Sequence, residues 1–326
     1  MTLLTKLPSY RPYSGLDPDV GESILADGSY AIIGNDGMDT IVDPLNRIFS
    51  THYPHIRFTS TMRGSATAIP ALLTGASLFA PMSRDPWQHD RKAFREAKGY
   101  DPTPIRLGYT GHGPRAGAKT PPALYIHRDN PLTGLSMHDV RRIFAYGAPG
   151  GNITQWSQLG LQGDWSGRRI HLYGLRDDGK YATGFRDTHL AGRAFPPHYE
   201  PLANRNEVIR AVANDPFGIG STGWVEAKKI SDQVRIVPLS TDDGGPYELP
   251  DLSTVAAGGY PLKAWVSIFL DLPPDQKLGL MIKEYLALAL SEEGQAIIAQ
   301  RTHCEEGYVP LCREDWQKEW EKLQTL

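Results

Sequence analysis

The chain carries 34 basic and 37 acidic side chains in 326 residues, a formal net charge of -3, with 40% hydrophobic and 22% charged residues. These totals describe a globular protein too long for one core, so about two domains are expected, and the balanced, scattered charge excludes both a nucleic-acid surface and a polyanionic tail. No apolar run approaches the roughly 18 residues that a membrane-spanning helix needs.

Residues 1–25 are rich in Pro, Gly, Asp and Tyr and read as an irregular arm. Met1 to Pro8 lack the charged start, long apolar centre and small-residue cleavage site of an export signal. The protein is therefore either retained in the cell, or its signal has been removed and Met1 added. Ser29–Gly34 predicts a strand, Asn35-Asp36-Gly37 a turn, and Met38–Phe49 an amphipathic helix with Ile41, Val42, Leu45 and Ile48 on one face. Pro54–Thr61 predicts a second strand.

The stretch from Arg57 to Pro86 is the most informative. A Gly64-Ser65-Ala66-Thr67 turn opens a small apolar helix over Thr67–Gly75, and the run Leu78–Met82 closes on Ser83-Arg84. Pro70 lacks an N–H and is tolerated only near a helix start, which puts that start close to Ser65 or Thr67. Small residues there leave N–H groups open to an anion, and Arg84 brings a full charge beside them. An ordinary N-cap next to a surface arginine has the same pattern.

Asp90–Lys98 reads as a charged helix and Ile105–Thr110 as a strand. Gly111 to Gly117 is glycine-rich but lacks a Gly-Lys-Ser/Thr ending and contains Pro114, so it reads as a connector. Ala123–His127 is extended, Arg128 to Pro131 a turn, and Ser136–Tyr146 a helix capped by Ser136. Trp156 and Trp165 bracket a loop, and Arg169–Leu175 is a strand. Arg176 to Asp187 is a charged turn running into a helix: Arg176 and Lys180 can hold an anion, while Asp177 and Asp178 repel one unless they accept its protons. A solvated loop is the competing account. Asn206–Asn214 reads as a helix, Gly218–Trp224 and Val234–Leu239 as extended, and Asp242–Thr254 as a polar loop. Ala264–Leu270 is a hydrophobic strand, and Asp275–Ser291 a helix with Leu278, Met281, Ile282, Tyr285 and Leu286 on one side. Gly294–Arg301 continues helically, Gly307–Leu311 is extended, and Glu314–Leu323 is a terminal helix. The recurrence of strand, polar turn and helix indicates an α/β sheet whose loops at the strand ends are competent to bind.

The chain has no HExxH, Gly-x-Ser-x-Gly, CxxC or Walker pattern, and its histidines do not cluster. No metal, cofactor or catalytic constellation is expected, and so no enzyme. The only cysteines, Cys304 and Cys312, flank Gly307 and Pro310. A turn there can fold them into one disulfide, which would suit an oxidising compartment; two thiols are the alternative.

A set of short segments in order resembles the phosphate-binding proteins of phosphate ABC transporters, a family of type II periplasmic solute-binding proteins. They are Gly34-Asn35-Asp36-Gly37-Met38, Arg63-Gly64-Ser65-Ala66-Thr67, Ala80-Pro81-Met82-Ser83-Arg84, His127-Arg128-Asp129-Asn130-Pro131-Leu132, Gly151-Asn152-Ile153-Thr154-Gln155-Trp156, Ala213 to Gly220, Tyr260-Pro261-Leu262, Leu290 to Gln295, and Gly307 to Leu311. Each is weak singly; their order from Tyr30 to Leu311 carries the resemblance. It implies a two-lobed α/β fold, each lobe a mixed sheet flanked by helices, joined by two crossing hinge strands. The expected lobes are 26–127 with 258–326, and 128–257.

The resemblance further implies an oxyanion held between the lobes by amides, hydroxyls and an arginine. The expected contacts are Gly37, Met38, Gly64, Ser65, Thr67, Ser83 and Arg84 in lobe one, and Arg176, Asp178, Gly179, Lys180, Tyr181 and Thr183 in lobe two. Where the family has Arg-x-Asp-Gly-Ser-Gly-Thr, this chain has Lys180, Tyr181 and Ala182 in the Ser-Gly-Thr places. A bulky Tyr stands where a backbone should approach an oxyanion closely, which is what Gly permits. The expected function is non-catalytic capture of phosphate or a related oxyanion for an ABC permease, by a monomer in the periplasm or outside the cell. The alternative is a family member with a degenerate cleft, acting as a sensor or interaction module or binding a larger anion.

Overall fold

The computed structural model describes residues 7–17, 23–178 and 181–326. They form two compact units: one runs to Thr110 and resumes from Ala264 to Leu326, and the other is Gly111–Lys263.

The first unit opens with β1 (Tyr30–Gly34) and α1 (Asp39–His52), whose Ile41, Val42, Leu45 and Phe49 are buried as one helical stripe. Ile48, expected on that face, is only half-buried. β2 (Phe58–Met62) pairs in parallel with β1. α2 (Ser65–Leu73) begins at the earlier of the expected starts, leaving Pro70 inside the helix on its exposed side. β3 (Ala80–Met82), α3 (Gln88–Lys98) and β4 (Thr103–Thr110) follow.

The second unit contains β5 (Lys119–Thr120), β6 (Ala123–His127), β7 (Leu135–Ser136), α4 (Met137–Phe144), β8 (His171–Leu175), α5 (Tyr181–His189), β9 (Tyr199–Leu202), α6 (Arg205–Ala213), β10 (Gly218–Thr222), β11 (Val225–Glu226), β12 (Val234–Ile236), β13 (Leu239–Ser240) and α7 (Leu252–Ala256). The first unit then resumes with β14 (Ala264–Leu270), α8 (Leu280–Leu290), α9 (Glu292–Ala299), β15 (Val309–Pro310) and α10 (Arg313–Thr325).

In the first unit the antiparallel order β15-β4-β14-β3 lies beside the parallel β1–β2 pair, stitched by Leu78 N–H to the Ala31 carbonyl at 2.9 Å and Asn35 N–H to that of Pro81 at 3.0 Å. Both passages of the chain between units leave neighbouring strands, since Thr110 pairs with Ala264. The core gathers Ile69, Leu72, Met82, Phe94 and Phe269, and the rings of Phe79 and Tyr285 meet tilted, with centroids 4.9 Å apart. In the second unit the sheet is mixed, order β12-β6-β10-β8-β9, with β10, β8 and β9 parallel and β6 antiparallel to its neighbours. Tyr125, Ile209, Val212 and Val234 pack α6 against it.

Several motif residues brace this framework. Gln295, fully buried, donates to the Leu107 carbonyl at 3.0 Å and accepts from Leu311 N–H at 3.1 Å. Trp156, also fully buried, donates to the Phe217 carbonyl at 3.1 Å. Asn130 accepts from Leu132 N–H at 3.0 Å, closing the His127–Leu132 turn.

The structure corrects three expectations. α7 begins at the end of the expected polar loop and runs beyond it to Ala256, started by the Asp251 carboxylate accepting from Thr254 N–H. α8 begins at Leu280 rather than Asp275, because Leu278 N–H and the Lys277 ammonium bond instead to the carbonyls of Leu326 and Thr325 at the chain's end. Cys304 and Cys312 are not bridged. The Cys312 sulfur caps α10, accepting from Asp315 N–H at 3.5 Å and from the Tyr109 hydroxyl at 3.2 Å, while the Cys304 sulfur lies 3.9 Å from the Gln300 carbonyl.

Candidate functional site

Three turns of the first unit meet at one corner. Gly64 N–H bonds to the Gly34 carbonyl at 3.2 Å, which brings the turn after β2 against the turn after β1, and Asn35 N–H draws in the strand before Ser83. Gly64 adopts φ 125°, ψ 153°, a conformation only glycine takes readily, and it caps α2. The amides of Ser65 and Ala66 therefore open the helix with no preceding carbonyl of its own to bond. Thr67 is turned inward: its N–H and its hydroxyl both donate to the Gly64 carbonyl, at 3.0 and 2.8 Å.

Arg84 closes the corner. Its Nε donates to the Ser65 hydroxyl at 2.7 Å and its Nη1 to the Asp85 carbonyl at 2.7 Å. Nη1 also lies 3.5 Å from the buried Asp90 carboxylate, and the guanidinium sits 3.7 Å above the Trp87 ring. Nη2 is buried and has no hydrogen-bond partner among the described residues. Burial pushes the Arg84 pKa down, with Asp90 and then Asp85 opposing it; an arginine stays protonated through such a shift. The result is a fixed cation with one unused donor edge beside an open helix start, an arrangement suited to an oxyanion.

Gly37 has φ 85°, and a Cβ there would lie 2.9 Å from the Tyr308 hydroxyl, which is hydrogen-bonded to the Ser83 side chain. Burial, first, and the Glu306 carboxylate, second, raise the Tyr308 pKa, so it remains a neutral donor or acceptor at physiological pH. Met38 is fully buried and its N–H bonds to the Asn35 carbonyl at 3.1 Å. Gly37, Gly64, Ser65, Ser83 and Arg84 thus gather at this corner, whereas Gly64, Met38 and Thr67 spend their N–H donors on the turns themselves.

In the second unit Arg176 and Asp178 are exposed, and Gly179 and Lys180 lie outside the described residues. Thr183 donates its hydroxyl to Asp177 at 2.6 Å, and Arg186 pairs with the same carboxylate. Tyr181, the first residue of α5, has its hydroxyl 3.2 Å from that of Ser221, and its ring occupies space 3.1 Å from where a Cβ on Gly223 would sit. The ring is folded onto its own sheet, and its hydroxyl is kept neutral by burial.

Four participants escaped the sequence reading. Trp87 and Asp90 hold Arg84, Tyr308 reaches Ser83, and Asp36 brings a carboxylate oxygen 3.9 Å from the Cβ position of Gly64. Asp90 had a legible signal, since an acidic residue in the first turn of a helix suits its N-terminus; it accepts Trp87 N–H at 3.1 Å. Tyr308 lies in the motif segment Gly307 to Leu311, but it is distant in the chain and only folding brings it to Gly37.

A corner of this kind on an α/β unit whose chain leaves and returns through paired strands defines a solute-binding protein of the periplasmic-binding-protein class. The chain belongs to the PBP superfamily domain family, whose model matches residues 23–293. It is similar to the phosphate-binding protein PstS of Pseudomonas aeruginosa, 27% identical over 309 residues that cover 94% of this chain and 87% of that protein. Among solved structures, PstS from Borrelia burgdorferi shares the fold at a TM-score of 0.54 and 16% identity, covering 86% of this chain and 98% of that one. An ABC-type phosphate transport receptor from Vibrio cholerae does so at 0.52 and 17%, with the same coverage.

Proposed function

We propose that this chain captures phosphate or a closely related protonated oxyanion outside the cytoplasm and delivers it to an ABC permease, without catalysis and as a monomer. The observation that carries the reading is Arg84: its guanidinium is held by Ser65, Asp85, Asp90 and Trp87, and its buried Nη2 is unspent next to the start of α2. Gly37, Ser65 and Ser83 supply the neighbouring donors, and Gly64 opens the turn that places them. Asp36 adds an acceptor to the same corner, which suits an anion that still carries a proton, as hydrogen phosphate does and sulfate does not. The likeness to PstS of Pseudomonas aeruginosa supports the same ligand class. Titration calorimetry with phosphate and sulfate is the direct test. Saturable phosphate heat with much weaker sulfate heat is expected; a folded protein that takes neither anion would overturn the reading.

Tyr181 favours a second reading, in which the second unit contributes little to phosphate and the chain is a sensor, an interaction module or a binder of a larger anion. Tyr181 stands where the family has glycine, and its ring packs beside Gly223 with its hydroxyl on Ser221. Replacing Lys180-Tyr181-Ala182 by Ser-Gly-Thr separates the two. Phosphate affinity that appears only in the replaced protein would make the native chain something other than a phosphate carrier.

A further inference from the structure

The second unit carries a concavity of about 600 Å³, remote in sequence from the anion-binding turns of the first. One wall is the edge strand β12 with the turn before it, and the other is the segment leading into α7. The segment after Gly111 forms its floor, tied across by Gly113 N–H to the Pro250 carbonyl at 2.7 Å. The lining is chiefly apolar, with Ile230, Val234, Ile236, Leu249 and Leu252; Val234 and Ile236 turn to the α6 face of β12, and Arg235 leaves the strand on the other. His112, Arg115 and Asp251 line it as well, and volume, apolar walls and a few polar groups are the features of a small-molecule pocket.

Together with Arg115, a positive sign comes to the pocket from Arg235. Its Nη2 donates to the carbonyls of Asn130 and Leu132, which pins the guanidinium against the sheet. The group is half-buried, and the pull on its pKa is downward from desolvation, with no carboxylate contributing. Asp251, also on the lining, is already committed to capping α7 through Ser253 and Thr254. A desolvated cation held only by neutral carbonyls gains from an anionic partner.

The geometry points to a second ligand site here, for a small carboxylate with an apolar body, its head on Arg235 and its chain along Leu249 and Leu252. This site does not depend on the oxyanion reading of the first unit. An aliphatic tail removes apolar wall from water, and the carboxylate replaces water on Arg235 with a charge-assisted bond.

The probe is octanoate, titrated calorimetrically against the full chain and compared with 1-octanol and octyltrimethylammonium. One saturable octanoate site is expected, at least about tenfold tighter than octanol because a hydrogen bond between charged groups exceeds 1.4 kcal/mol, the equivalent of tenfold; the ammonium should give no saturable heat. Leu249 is 43% exposed, so Leu249→Asp and Leu249→Asn should both fold, and they differ only by a charge at the pocket mouth. Leu249→Asp should bind octanoate at least fivefold more weakly than Leu249→Asn, roughly what one like charge at close range imposes near a protein surface. If either fails to fold by thermal melt, Ile230→Asp and Ile230→Asn repeat the comparison. Excess phosphate should leave octanoate affinity unchanged. Absence of saturable octanoate binding, equal binding of octanol, equal affinity of the Asp and Asn variants, or competition by phosphate would each overturn the site.

Discussion

Arg84→Gln tests the anion corner most directly, because the structure separates its effect on binding from its effect on stability. The substitution removes the charge and the Nη2 donor. A charged hydrogen bond is worth about 1.5–3 kcal/mol, so phosphate affinity should fall roughly ten- to hundredfold. It also strips the 6%-exposed Asp90 side chain of its cation, leaving that carboxylate with Trp87 N–H at 3.1 Å and His89 Nε2 at 3.4 Å. An underpaired buried group costs about 1–3 kcal/mol, or roughly 2–12 °C in Tm for a unit of this size. Asp90→Asn keeps an acceptor for Trp87 N–H while removing the charge. The double variant Arg84→Gln/Asp90→Asn should therefore recover most of the lost Tm and none of the lost affinity, a coupling that a double-mutant cycle isolates. Calorimetry for binding and scanning fluorimetry for Tm are sufficient. Wild-type phosphate affinity in a folded Arg84→Gln protein would refute the assignment of Arg84, and a double variant no more stable than the single would refute the pairing argument.

Gly37→Ala should lower stability by about 1–2 kcal/mol, because a side chain is strained at φ 85° and its Cβ would press on the Tyr308 hydroxyl; denaturant midpoints measure it. His198 has its pKa held below the usual 6.5 by burial and secondarily by Arg169. The unfolded chain then binds the proton more readily, so this contribution to stability is present above about pH 6.5 and is lost as pH falls through the lower folded value. His198→Gln should flatten the urea-midpoint profile between pH 7 and 5; an unchanged slope would remove His198 as its source. Because Cys304 and Cys312 are not bridged, denaturing alkylation without reductant should add two labels by intact mass, and none would indicate a disulfide.

Much of the framework was legible because it is locally encoded. The strand, turn and helix after Tyr30, and again after Phe58, follow from apolar periodicity and from glycines that only a turn requires. What sequence marked as motif divides, once folded, into parts with different work: Gly64, Ser65 and Arg84 make the corner, while Gln295, Trp156 and Asn130 brace loops and strands. A motif records that a residue is needed, not whether it faces a ligand or a carbonyl of its own chain. Met38 and Thr67 show the limit, since their donors are consumed by turns that only backbone geometry specifies.

The chain's order of residues by itself determined most of the α/β elements, a helix start close to Ser65 or Thr67, and the charge placed after β3, all of which depend on neighbours a few positions away. Tertiary structure alone decided that Asp90 and Trp87 would hold Arg84 with one donor edge unspent, that Tyr308 would stand over Gly37, and that Cys312 would cap a helix rather than form a bridge. Side-chain directions are set by how α3, β15 and α10 pack against strands far away in the sequence, and hydrogen bonds and ring contacts depend on those directions to within an ångström.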